Sequence, residues 1–82
     1  MFQNINFKKM EKLNQILSTV LKISLEETSK NYGMKDINNW DSLSHMNLIV
    51  VIEDEFKMQL TGDEIAEMTT FDNIREIVQK HI

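Results

Sequence analysis

The stretch Trp40–Phe56, WDSLSHMNLIVVIEDEF, is where a polar segment gives way to a long apolar-rich one. Apolar residues recur through it at intervals of three and four, which is the period of a helix. The pattern predicts an α-helix over Ser42–Phe56 with Asp41 just before it. Ser42 would then lie in the first turn, where amides lack helical partners and the peptide dipoles leave about half a positive charge. A phosphate on Ser42 would be stabilised there.

This predicted helix carries two apolar stripes rather than one. The natural core stripe consists of His45, Leu48, Ile49, Ile52 and Phe56. The second stripe is displaced around the helix and consists of Leu43, Met46 and Val50. Two interpretations remain open for it: a neighbouring helix or the Trp40 segment covers it, or it is a partly exposed surface for a partner protein.

Upstream of this helix, the sequence predicts one amphipathic helix and a long connection. The first helix should run over residues 6–23, roughly Asn6 to Ile23, with Phe7, Met10, Leu13, Leu17, Val20 and Leu21 facing the core. From Ser24 to Asp41 the period is lost, and we expect the connection to be pinned to the core by Leu25, Tyr32, Met34, Ile37 and Trp40. The capping-box spacing of Ser24 and Glu27 predicts one short helical turn there, with a stop at residues 31–33.

Two further helices are predicted downstream. Thr61 and Glu64 have capping-box spacing and open a short helix that ends near Met68. Thr70 caps the last helix, whose core-facing residues are Phe71, Ile74, Ile77, Val78 and either His81 or Ile82. The fold class is therefore all-α: a small antiparallel bundle of four helices with a long first connection and a short third helix.

Length and composition restrict what such a chain can do. Residues 1–82 make a single domain with room for one small core and none for a second lobe, so we do not expect an enzyme with a catalytic site of its own. Cysteine is absent, which excludes disulfides and thiolate metal sites. Charged residues from Lys8 to Lys12 interrupt any signal-like run, and the longest apolar run, Leu48–Ile52, is far below the roughly 20 residues that span a membrane. We expect a cytoplasmic protein that neither enters nor binds membranes.

The charge distribution indicates the kind of partner. The net charge is −4, but residues 1–35 carry six Lys and three Glu, while residues 36–82 carry ten acids and only three basic residues. The acidic half contains Ser42, which makes nucleic acid a poor partner and a basic protein surface a good one. Glu53, Asp54 and Glu55 would guide such a partner, although runs of acids are more often simply solvated.

Catalytic and metal-binding interpretations find little support. Ser42 and His45 are three residues apart on one helix, as a nucleophile and its base could be, but the chain offers no oxyanion hole or substrate pocket. No calcium-loop pattern occurs, and the two histidines are far apart in sequence. We therefore predict neither catalytic residues nor a metal site.

The stretch WDSLSHMNLI followed by IEDEF resembles the acyl and peptidyl carrier proteins. An Asp-Ser pair before a helix is also what an ordinary N-cap provides, so the resemblance depends on the residues around it. It implies that Ser42 carries 4′-phosphopantetheine and that Asp41 and Leu43 help a phosphopantetheinyl transferase to recognise the site. It also implies that this helix is the main recognition surface, formed by Leu43, Met46, Asn47, Val50, Glu53 and Asp54.

For a discrete carrier, the resemblance implies a monomer that bears acyl or aminoacyl groups as thioesters. An adenylating acyl or aminoacyl ligase would load it, and an acyltransferase or synthase would use the cargo. Trp40, Ser44 and Asn47 depart from the pattern of fatty-acid-synthesis carriers, which have a small residue at the first position and acids at the other two. The departures favour an aminoacyl, D-alanyl, polysaccharide or secondary-metabolite pathway. A carrier for ordinary fatty-acid synthesis and a helical interaction module without a prosthetic group are the alternatives.

Overall fold

The structure, a computed structural model, describes the backbone of residues 5–82 and the side chains from residue 8 onward. Its four helices are α1 (Ile5–Leu21), α2 (Ser42–Phe56), α3 (Gly62–Glu67) and α4 (Phe71–His81). Helix α1 packs against α2 and α4, and α3 packs against α4. The described residues form no β-strand, only an isolated bridge between Gly33 and Thr70. The all-α prediction of four helices with a short third one is confirmed.

Helix α1 buries Leu13, Leu17 and Leu21 of the predicted stripe and one residue that the prediction omitted, while Met10 and Val20 of the stripe are partly buried. Its buried residues are Leu13, Ile16, Leu17 and Leu21, of which Ile16 was not expected. The side chain of Phe7, also placed on this stripe, lies outside the described residues. The helix ends two residues earlier than predicted, because Lys22 adopts a left-handed conformation (φ 58°) and the Ile23 amide turns back to the Ser18 carbonyl at 3.1 Å.

The long connection contains two 3₁₀ turns, Glu26–Ser29 and Met34–Asp36, where one turn was predicted. The Ser24 and Glu27 pairing is present, with the Ser24 amide 3.0 Å from Glu27 Oε1 and the Glu27 amide 3.2 Å from Ser24 Oγ. Leu25 was expected to pin the connection, and this is wrong because its side chain is 55% exposed. The turn directs Thr28 inward instead, and the Thr28 hydroxyl donates to the Leu25 carbonyl.

Gly33 was predicted to stop a helix, but in the structure it allows the chain to approach the segment before α4 closely. Its φ of −109° is extended rather than left-handed, and the first 3₁₀ turn has already ended at Ser29. The chain here lies against the segment before α4, where the Met34 amide donates to the Thr69 carbonyl and the Phe71 amide to the Tyr32 carbonyl. A Cβ on Gly33 would lie 3.2 Å from the Thr69 oxygen, so the close approach favours glycine.

Trp40 fastens the end of this connection to the core. Its side chain is buried and stacks on Phe71 of α4, with ring centroids 5.4 Å apart and an angle of 24° between the planes. Tyr32 packs edge-on against the same Phe71 ring, with the two ring centroids 6.1 Å apart. Ile37 is also buried, so the predicted pins other than Leu25 pack on the core, with Tyr32 and Met34 partly buried.

Helices α3 and α4 begin as the capping residues predict. The Thr61 hydroxyl accepts from the Glu64 amide at 3.1 Å, and Glu64 Oε1 accepts from the Thr61 amide at 2.9 Å. The Thr70 hydroxyl accepts from the Asn73 amide at 3.1 Å. Helix α3 ends at Glu67, one residue before the predicted Met68, which is buried. No helix in the described part of the chain is long and apolar enough to cross a membrane.

The last core position of α4 is taken by Ile82 rather than by His81. Ile82 is partly buried against the core, while His81 lies near the surface with Nε2 2.9 Å from Glu64 Oε2. The hydrogen bond from the Thr61 amide, followed by that of His81, holds the pKa of Glu64 below its ordinary value. Glu64 therefore connects the first turn of α3 to the end of α4.

Arg75 joins α4 to the other side of the bundle. Its guanidinium donates to the Thr28 carbonyl and lies 3.3 Å from Asn14 Oδ1 on α1. It also lies 3.4 Å from Asp72 Oδ1 and 5.9 Å from the centroid of the Phe71 ring. One side chain thus holds the first 3₁₀ turn, α1 and α4 together.

We expect Arg75→Ala to lower the free energy of unfolding by about 1 to 3 kcal/mol, because the Thr28 carbonyl loses its charged donor. Urea denaturation followed by circular dichroism measures this value. Lys80→Ala is the matched control, since the Lys80 side chain is 65% exposed and its contact with Glu64 is long, at 4.0 Å. This variant should change stability by about 0.5 kcal/mol or less. Equal losses in the two variants would contradict the bridging role of Arg75.

Candidate functional site

The start of α2 has the geometry of a well-formed helix cap. Asp41 has an extended backbone (φ −105°, ψ −173°), and its Oδ1 accepts a hydrogen bond of 2.9 Å from the Ser44 amide. Its carbonyl accepts the first helical bond, from the His45 amide at 2.8 Å. Asp41 is therefore the N-cap, and Ser42 is the first residue of the helix with an exposed side chain. The ordinary capping function thus belongs to Asp41, and the Ser42 hydroxyl is available for other chemistry.

Asp41 also sets the charge beside Ser42. The hydrogen bond from the Ser44 amide holds the pKa of the Asp41 carboxyl below its ordinary value, with desolvation opposing this only in part. The carboxylate is therefore ionised at neutral pH. An anionic group at this point is also favoured by the positive end of the α2 dipole.

His45 is buried one turn after Ser42 and connects three segments of the chain. Trp40 Nε1 donates to His45 Nδ1 at 3.0 Å, and His45 Nε2 lies 3.0 Å from the carbonyl oxygen of Ile65 in α3. Both ring nitrogens are thus engaged by groups other than Ser42. A nucleophile and base pair of Ser42 and His45 is not formed in this geometry.

An apolar groove of about 350 Å³ borders Ser42. Its walls come from α2, α3 and the second 3₁₀ turn, and its lining residues are Met34, Ser42, His45, Met46, Gly62, Ile65, Ala66 and Thr69. Sequence reasoning did not connect Met34, Ala66 or Thr69 with Ser42, because no periodic pattern relates these positions. A larger groove of about 640 Å³ along α4 has a mixed lining that includes Glu67, Glu76 and Lys80, and does not include Ser42.

The second stripe of α2 is exposed over its whole length. Leu43, Val50 and Met46 are 80%, 58% and 49% exposed, respectively. Among the residues that the structure describes, neither a neighbouring helix nor the Trp40 segment covers them, and Trp40 is itself buried in the core. These three residues are hereafter called the apolar strip. Such a contiguous apolar surface on a small domain is typical of a contact site.

The polar residues predicted beside the apolar strip differ in their exposure to solvent. Asn47 and Asp54 are exposed. Glu53 is half-buried, and its Oε2 accepts a hydrogen bond of 2.9 Å from the Leu60 amide, so one carboxylate oxygen already holds the connection from α2 to α3. The docking role of Glu53 remains a prediction. Among the residues that the structure describes, no three acidic or histidine side chains are placed to hold a metal ion.

The amino-acid sequence of this chain is similar to those of two kinds of known protein. No protein-family model matches the chain. It is 31% identical over 80 residues to an acyl carrier protein of Buchnera aphidicola subsp. Baizongia pistaciae, covering 98% of this chain and 97% of that protein. It is 30% identical over 60 residues to an acyl carrier protein of Buchnera aphidicola subsp. Schizaphis graminum, covering 73% and 76%.

Two further relatives are the much longer non-reducing polyketide synthases epaA and azaA of Aspergillus niger. The chain is 36% identical to epaA and 34% identical to azaA, over 73 residues in each case. These alignments cover 89% of this chain, which spans only about 3% of the length of either synthase.

The Asp41 cap predicts a specific pH dependence of stability. Its pKa is lowered in the folded protein, so the stabilisation is fully present above the ordinary value of 3.8 and is lost as pH falls through the folded value. Asp41→Asn keeps a capping oxygen that does not titrate. The melting temperature of the wild type relative to this variant should be constant near neutral pH and should decline below about pH 4. Thermal unfolding at a series of pH values tests this, and a constant difference would contradict it.

Proposed function

This chain belongs to the acyl carrier protein family, and on that premise we propose that it carries acyl or aminoacyl groups as thioesters on a 4′-phosphopantetheine arm attached to Ser42. The observation that carries the proposal is the placement of Ser42. Its hydroxyl is exposed in the first turn of α2, directly after the capping carboxylate of Asp41 and at an apolar groove.

The residues around Ser42 fit a phosphate-linked arm. The exposed oxygen can form a phosphodiester without disturbing the cap, because Asp41 already satisfies the Ser44 amide. The positive end of α2 favours the phosphate that would lie there. The groove lined by Met34, Ile65 and Ala66 offers apolar surface to whatever extends from Ser42. The arm would supply a terminal thiol for the cargo. The protein would supply the surface that partner enzymes recognise and would hold the arm in position.

Separate enzymes must perform the chemistry in this proposal. Both nitrogens of His45 are engaged, so Ser42 has no base of its own there and a phosphopantetheinyl transferase would supply base and metal. The apolar strip would be the docking surface for this transferase, for an adenylating acyl or aminoacyl ligase, and for an acyltransferase or synthase. Asn47, Asp54 and the free oxygen of Glu53 would complete it. The acidic half of the chain favours basic partner surfaces.

The proposed pathway is a specialised one rather than ordinary fatty-acid synthesis. Trp40, Ser44 and Asn47 support this, because they replace the small residue and the two acids typical of fatty-acid-synthesis carriers. The likeness to two polyketide synthases also supports it, since their names place those proteins in polyketide synthesis. The pathways that we propose are aminoacyl, D-alanyl, polysaccharide or secondary-metabolite pathways.

We expect Ser42 to be the hydroxyl that accepts phosphopantetheine when the purified protein is incubated with coenzyme A, magnesium and a transferase of broad specificity. Intact mass should rise by one phosphopantetheinyl group in the wild type and remain unchanged in Ser42→Ala. Ser44→Ala is the matched control, because Ser44 is two residues away and the variant keeps the capping bond from its backbone amide. It should be modified like the wild type.

The Ser42→Ala variant should remain folded, since it removes no capping group. We expect its stability to change by about 0.5 kcal/mol or less, as for other exposed positions. Modification that persists in folded Ser42→Ala would refute the assignment of this serine. A wild-type protein that is never modified by several transferases would favour the interaction module without a prosthetic group.

The apolar strip predicts a contrast between two faces of α2. Val50→Glu should leave the domain folded, with stability changed by tenths of a kcal/mol, and should reduce kcat/KM with the transferase or ligase. Ile52→Glu should unfold it, because Ile52 is fully buried and an unpartnered carboxylate there costs several kcal/mol. Met46→Glu and Ile49→Glu form a second matched pair.

Circular dichroism reports folding in these variants, and turnover with the apo-protein as substrate reports docking. If Val50→Glu loses its helical signal as completely as Ile52→Glu, the strip is part of the core. If Val50→Glu folds and reacts at the wild-type rate, the strip is not the surface that these enzymes use.

A further inference from the structure

His45 is buried between the segment before Ser42 and helix α3, and it is bonded to both. From this geometry we infer that His45 is a positioning residue of the carrier site: its two ring nitrogens separately fix Trp40, which precedes the cap, and α3, which forms the far wall of the groove. The inference rests on the proposed function, because it concerns how the site around Ser42 is held.

The hydrogen bonds define the tautomer of the ring. An indole N–H can only donate, so His45 Nδ1 must be the unprotonated acceptor for Trp40. The ring proton of neutral His45 is then on Nε2, which donates to the Ile65 carbonyl at 3.0 Å. The two bonds therefore have opposite directions, and each can be removed without the other.

The bond from Trp40 acts on the approach to Ser42. Trp40 directly precedes the N-cap Asp41, and its ring stacks on Phe71 and donates its N–H to His45. Its backbone amide donates to the Ile37 carbonyl at 3.1 Å. Loss of the hydrogen bond from the Trp40 indole removes one of the contacts that orient the chain as it enters α2. The positions of Asp41 and Ser42 then change.

The bond to Ile65 acts on the groove. Helix α3 has only six residues, which is too short to be stable alone, and it packs mainly on α4. Ile65 and Ala66 line the groove on the side facing α2. The His45 bond connects α2 to α3 beside this groove, since His45 and Ile65 both line it. Without it, the α3 wall is tied to α2 less firmly.

Two substitutions of His45 each remove one of the two hydrogen bonds, and a third removes both. His45→Asn places an amide oxygen near the position of Nδ1 and can accept from Trp40, but it is too short to reach Ile65. His45→Gln places an amide nitrogen near the position of Nε2 and can donate to Ile65, but offers Trp40 no acceptor at the former site. His45→Leu keeps comparable volume and supports neither bond.

Two signals in the unmodified protein report the two bonds. Trp40 is the only tryptophan of the chain, so its indole N–H gives a single resonance by NMR. Hydrogen exchange of the amides in residues 62–68 reports α3. We expect His45→Asn to keep the indole resonance and to raise α3 exchange about tenfold, whereas His45→Gln should shift the resonance and leave α3 protected. His45→Leu should show both changes.

The approach to Ser42 gives a third signal. His45→Gln should be modified by the transferase roughly tenfold more slowly than His45→Asn, because only the former loses the Trp40 bond. Equal rates in the two variants would overturn the positioning of Ser42. Exchange that rises equally in α1, α3 and α4 in every variant would reduce His45 to an ordinary core residue.

The ¹⁵N chemical shifts of the wild-type imidazole test the inference even where a variant fails to fold. A protonated Nδ1 at neutral pH would overturn it, and an unprotonated Nδ1 with a protonated Nε2 is the expected result. None of the NMR or exchange measurements requires the arm. A wild type that is never modified would therefore refute the proposed function and leave the two-bond arrangement standing.

Discussion

The burial of Trp40 is the constraint on which the rest of this structure depends. A side chain that stacks on Phe71 and donates to His45 joins the end of an unusually long connection to both α4 and α2. Burying an aromatic ring of this size contributes on the order of 2 to 3 kcal/mol, a large share of the stability of a small domain. Because the indole N–H must also find an acceptor when buried, its position and that of His45 are determined together.

Helix α2 has one apolar face in the core and a second apolar face in solvent. Its inward face buries Leu48, Ile49 and Ile52, while the apolar strip on its outward face remains in solvent. The capping carboxylate of Asp41 leaves Ser42 free at the end of the helix where an anion is favoured. A surface residue here can change without loss of the fold, which the proposed docking of several enzymes on this one helix would require.

Helix α3 shows how a six-residue helix is kept in place. Its first turn has a complete capping box, Glu64 also accepts from His81 of α4, and the Ile65 carbonyl near its end faces His45 of α2. Each contact is weak alone, and no residue of α3 is itself buried. Together the contacts place one wall of the groove beside Ser42.

The sequence by itself determined the helices, their caps and the serine at the start of α2, because periodicity and capping depend on residues only three or four positions apart. Only the tertiary structure decided that Leu25 is exposed while Thr28 is buried, since an irregular connection carries no period that shows which side faces the core. Local patterns also gave no sign that Glu53 would hold Leu60 or that His45 would join Trp40 to Ile65. Those contacts bring together residues from different elements, and a side chain's hydrogen-bond partners there depend on how the elements pack.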